Sequence, residues 1–85
     1  MLEICTFVVG GGTGVNRKTK YIGNTYSEDE CLLLVRSKEP SANGATWGPT
    51  NYECYAEFGQ TYRNDRSHWM NCNLKGEMFV IEIYL

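Results

Sequence analysis

The chain holds a single histidine, and no run of apolar residues approaches the roughly 20 that a helix needs to cross a bilayer. No two cysteines form a C-x-x-C pair, and His68 with Cys72 is the one close His–Cys spacing. Structural zinc sites aim paired ligands from short turns, so no metal is expected, and nothing in the sequence calls for a cofactor. Basic charge is not in excess: the net charge is -2, which excludes the dominant basic face that duplex nucleic acid requires. There is no N-x-S/T sequon, so N-glycosylation is not expected. The start, Met1-Leu2-Glu3-Ile4-Cys5, lacks the basic and apolar regions of a secretory signal, which fits a mature domain led by an added Met1.

Catalytic patterns are also missing. Gly10-Gly11-Gly12-Thr13-Gly14 has no following Lys-Ser/Thr to hold a phosphate and magnesium, so it reads as a flexible strand connection. His68 has Ser67 beside it and Asp65 nearby, but adjacent strand residues point to opposite sides, which breaks a hydrolytic set. Glu53 and Glu57 are i and i+4 on a strand, roughly 13 Å apart at about 3.3 Å per residue. That is too far for a glycosidase pair, and a solvent face is expected there. The protein is therefore expected not to be an enzyme.

What the chain does have is four cysteines in 85 residues: Cys5, Cys31, Cys54 and Cys72. A domain this small buries only roughly 60% of its unfolded surface, and an even cysteine count in a short chain is the mark of a disulfide framework. The expectation is one secreted domain over residues 1–85.

Local patterns place these cysteines on elements. Leu2 to Val9 is rich in β-branched and aromatic residues and predicts a buried strand with Cys5. A polar loop runs to Lys20, with a short strand at Thr19 to Ile22. Ser27-Glu28-Asp29-Glu30 is a capping box, with Glu30 expected to reach back to the Ser27 N–H. Cys31, Leu32, Leu34 and Val35 follow as one apolar face, and Pro40 ends the run, so a helix is predicted at about 27–37. Asn43-Gly44 turns the chain into Ala45-Thr46-Trp47. Asn51 to Phe58 alternates, with Tyr52, Cys54, Ala56 and Phe58 on the inner side and Glu53, Tyr55 and Glu57 on the outer. Residues 59–67 read as a polar loop, His68 to Leu74 as a strand with Cys72, and Glu77 to Leu85 as a last apolar strand. The fold class is α+β, one helix packed on an antiparallel sheet with two disulfides. Three cysteine pairings are open to the sequence. The nested one, Cys31–Cys54 with Cys5–Cys72, is preferred because Cys31 and Cys54 both face the core.

This arrangement resembles the PAN/apple family of extracellular modules. The resembling residues are the strand with Cys5, then Ser27-Glu28-Asp29-Glu30-Cys31, Ala42-Asn43-Gly44-Ala45-Thr46-Trp47, Cys54-Tyr55 and the closing Cys72. The resemblance covers most of the chain and implies a helix cradled by an antiparallel sheet, a helix-to-strand disulfide, a second disulfide joining the terminal regions, and binding of proteins or carbohydrates without catalysis. Many members carry a further helix cysteine a few residues after the first. Here Val35 and Arg36 occupy that region, so a reduced, two-disulfide variant is implied.

The densest recognition chemistry lies in residues 60–69, Gln-Thr-Tyr-Arg-Asn-Asp-Arg-Ser-His-Trp. Asn64, Asp65 and Arg66 can each bond vicinal hydroxyls through two atoms, and Tyr62 and Trp69 can face the C–H side of a sugar ring. Together with Arg63, His68 and Trp47 they form the candidate ligand-binding set for a lectin-like module. The alternative partner is an extracellular protein, bound by an adhesion, inhibitor or toxin-like domain through Arg17, Lys18 and Lys20 with Arg63 and Arg66. If the final strand lies at a sheet edge, its unpaired backbone predicts a homodimer.

Overall fold

A computed structural model describes residues 5–64, 66 and 68–74. The strand expected at Glu77 to Leu85, and the homodimer through it, lie outside the described residues. The elements are β1 (Val8–Val9), β2 (Gly12–Thr13), β3 (Lys18–Asn24), α1 (Glu28–Lys38), β4 (Gly44–Trp47), β5 (Glu53–Phe58), β6 (Tyr62–Arg63) and β7 (Met70–Asn73). Among the described residues, five strands form one antiparallel sheet in the order β1-β7-β4-β5-β3, and β2 pairs with β6 as a separate two-stranded ribbon. The expected α+β architecture, a helix on an antiparallel sheet, is present.

The helix begins where its capping residue predicts. The Ser27 hydroxyl accepts from the Glu30 N–H at 3.2 Å, and acidic Glu28, Asp29 and Glu30 face the positive end of the helix. The Glu30 carboxylate reaches one residue further back than expected and accepts from the Tyr26 N–H at 2.8 Å. Cys31 and Val35 are fully buried against the sheet, with Leu32 and Leu34 packed beside them.

Alternation sorts the sheet into two faces. Ala45 and Trp47 on β4, Cys54 and Ala56 on β5, and Cys72 on β7 point toward α1 and form the core. Both disulfides lie in that layer, Cys31–Cys54 and Cys5–Cys72, with Cα separations of 5.4 and 5.3 Å. They are the nested pair read from the sequence, and no cysteine is free.

The other face departs from expectation. Glu57, assigned to a solvent face, is only 2% exposed. Thr46 and Asn71 beside it are buried too. The cover is the β2–β6 ribbon, formed by two segments that read as polar or flexible connections. The Gly10–Gly14 stretch holds a strand, and Gly10, Gly11 and Gly12 are buried. Backbone bonds join it to the later segment: Asn64 N–H to Gly11 C=O, Thr61 N–H to Thr13 C=O, and Gly10 N–H to Trp69 C=O. Tyr52, expected to face inward, lies before the strand with φ at 66° and is 45% exposed. Its N–H donates to the Gly48 C=O and its C=O accepts from Thr25, which holds this left-handed conformation in place.

Candidate functional site

A pocket of about 400 Å³ lies between the sheet and the ribbon. The sheet contributes Thr19, Thr46, Tyr55 and Glu57. Arg17, Asn64, Arg66 and Trp69 face the same space, and the backbone of Gly11 to Thr13 completes the lining.

The pocket rests on a chain of buried polar groups. Gln60 and Asn71 exchange amide hydrogen bonds at 2.8 and 2.9 Å. The Asn71 amide also donates to the Thr46 hydroxyl at 2.8 Å, and that hydroxyl in turn donates to Glu57 Oε2 at 2.5 Å. Glu57 Oε1 lies 3.5 Å from the Arg17 guanidinium, which also donates to the Gly12 C=O. Asn43 clamps Gln60 from outside: its amide donates to the Gln60 C=O at 2.8 Å and its oxygen accepts the Gln60 N–H at 3.0 Å. Buried polar groups linked in this way fix one another's orientation.

Two groups in the pocket have shifted titration. Burial pushes the Glu57 carboxyl upward, opposed by the Thr46 hydroxyl, the Arg17 charge and the Thr19 hydroxyl. The Tyr55 hydroxyl is pushed up to about 12, first because it donates to Glu53 at 2.5 Å, then by burial and by the Glu53 charge. Glu57 thus has hydrogen-bond partners on both oxygens yet keeps acceptor capacity, since a carboxylate offers about four lone-pair sites.

Of the residues singled out in the sequence, Asn64, Arg66 and Trp69 line the pocket. The Asn64 oxygen accepts from the Gly11 and Arg66 N–H groups at 2.9 and 3.0 Å, and its amide nitrogen donates to no described residue. Trp69 packs edge-on to Tyr55, with centroids 5.6 Å apart. Arg63 is exposed on β6, and His68 is exposed and does not line the pocket. Tyr62 lies in β6 by its backbone, and Asp65 falls outside the described residues. Trp47 sits on the helix-facing side of the sheet, 8% exposed, with its indole N–H donating to the Thr25 C=O at 3.1 Å. It anchors the core and does not reach the pocket.

Sequence reasoning assigned Arg17 to the alternative basic surface and missed Glu57, Thr46, Thr19 and Tyr55 as members of the site. Their one visible signal is the alternation of β5, which puts Tyr55 and Glu57 on a common face. Among the described residues no group of three His, Cys, Asp or Glu side chains is gathered to hold a metal, and no helix is long and apolar enough to cross a membrane. Compared with known proteins, the chain matches no family model, no curated protein and no solved structure.

Proposed function

We propose that this protein is an extracellular, non-enzymatic carbohydrate-binding module that holds a sugar in the pocket between the sheet and the β2–β6 ribbon. One observation carries the reading: a buried carboxylate, Glu57, faces a pocket that also presents a guanidinium, an amide and the rings of Tyr55 and Trp69. Sugars offer vicinal hydroxyls on one side and C–H groups on the other, and this mixture suits both. Fixed polar groups also discriminate strongly, because an analogue lacking a hydroxyl leaves them unpaired. Two disulfides in a small domain are compatible with an extracellular location. The PAN/apple likeness belongs to the same proposal.

Two features weigh against the alternative of a protein contact through basic loops. Arg17 is drawn into the pocket toward Glu57, and Lys20 is paired with Glu39 at 2.7 Å. Two of the cations that such a surface needs are therefore engaged within the fold.

A glycan array followed by calorimetry tests the proposal. Binding to at least one glycan is expected, and Glu57→Gln should weaken it about tenfold or more, the equivalent of about 1.4 kcal/mol, with thermal melts showing that the variant folds. Absence of binding to every glycan overturns the reading.

A further inference from the structure

The row of rings that begins in the pocket continues beyond it. Trp69 and Tyr55 line the pocket. Tyr55 stands directly opposite Tyr21 across β5 and β3, with centroids 5.6 Å apart and planes at 64°. Tyr21 is not part of the lining, and it is 49% exposed. We propose that Tyr21 forms a second, open subsite next to the pocket, so that the ligand is a glycan chain of two or more residues and not a single sugar. This rests on the reading of the pocket as a sugar site.

A cross-strand tyrosine pair alone would account for strand stabilisation. Three further features point to recognition. First, both rings are tethered by their hydroxyls: Tyr55 donates to Glu53, and Tyr21 donates to the Asn24 side-chain oxygen. Asn24 is itself held, its amide donating to the Asn51 C=O at 3.0 Å. An exposed aromatic already fixed in place gives up little freedom when a ligand arrives. Second, the tethers place polar groups along the row. Glu53 is half-buried beside the ring faces, and its carboxylate keeps acceptor capacity after accepting from Tyr55. Third, β3 changes register between Tyr21 and Gly23, where Ile22 is inserted relative to β5. A bulge increases local twist and re-aims the adjacent side chain, and bulges gather beside functional sites.

The pocket itself, at about 400 Å³, lies near the small end of ligand sites, which span about 300–1,000 Å³. A chain longer than the pocket holds therefore needs surface outside it, and the aromatic row is contiguous with it.

The test uses the full chain and a glycan array that includes glucose-, galactose- and N-acetylglucosamine-based series of one to six units. For a series that binds, calorimetry then compares the monosaccharide with its trimer on wild type, Tyr21→Ala and Tyr21→Phe. The trimer should bind wild type about tenfold more tightly than the monosaccharide. Tyr21→Ala should remove that gain and leave monosaccharide affinity unchanged, while Tyr21→Phe, which keeps the ring, should retain most of it. Equal affinity for monosaccharide and trimer, with binding still lost in Glu57→Gln, overturns the second subsite and leaves the pocket standing. A Tyr21→Ala variant that weakens both ligands equally overturns it as well, because Tyr21 would then only support the pocket. Failure of wild type to bind any member of the array overturns the pocket and the subsite together.

Discussion

Glu57 decides the character of the second sheet face. A carboxylate removed from water is destabilised in its charged form, and among the described residues two hydroxyls and one partly exposed guanidinium compensate. Its native titration therefore lies above the ordinary carboxylate value of 4.5. The consequence for stability has a definite sign. Between the unfolded and native values the native state keeps a proton that the unfolded chain has released. The contribution of Glu57 is therefore complete below about pH 4.5 and is lost as pH rises through the native value. Glu57→Gln removes this titration. In thermal melts from pH 4 to pH 8, wild type should lose stability relative to Glu57→Gln as pH increases. A constant difference across the series would show that burial does not govern this carboxyl. The sequence could not reveal it. Alternation assigns Glu57 to a face, but whether that face meets water depends on segments far along the chain, as the Gly11–Asn64 bond across 53 positions shows. Trp47, which the sequence reading placed in the ligand-binding set, shares the core side with Ala45 and does not line the pocket.

At the scale of elements, what was legible is what local chemistry determines. The Ser27 cap, the apolar helix face and the inner residues Cys54 and Ala56 all follow from neighbours within a few positions. The β2–β6 ribbon does not, because its two strands are two residues each and gain their order from the sheet beneath. Its glycines are there for approach. A Cβ on Gly12 would overlap Gln60 Oε1 and come within 3.1 Å of Asn71 Nδ2, and Gln60 is too buried to swing aside. Gly12→Ala should therefore cost about 1–3 kcal/mol through overpacking. It should also weaken sugar binding, because the displaced Gln60 and Asn71 hold Thr46 and, through it, Glu57. Chemical denaturation beside calorimetry checks both effects. A variant that folds with wild-type stability and affinity would mean that the ribbon is not coupled to the pocket.

For the whole molecule, the two faces of one sheet divide the labour. The helix-facing layer carries both disulfides, and the opposite layer spends its buried volume on a polar network and a pocket. A sheet that uses one face for polar groups has less apolar surface to bury, and the cross-links offset that deficit. The bridges span 23 and 67 positions, loops for which the chain-entropy model gives about 3–4.5 kcal/mol each. A domain of this size loses about 4–8 °C in melting temperature per kcal/mol, so removal of even one bridge should lower it by roughly 12–36 °C. The bridges are not equivalent with respect to the pocket. Cys31–Cys54 fastens α1 to β5, the strand that carries Tyr55 and Glu57, whereas Cys5–Cys72 fastens the start of the chain to β7, next to Asn71. Paired Cys→Ser variants of each bridge, melted with and without a thiol reductant, separate their contributions. Each should melt well below wild type, and reductant should lower wild type below both. Equal melting of oxidised and reduced protein would refute the view that this polar pocket depends on a cross-linked core.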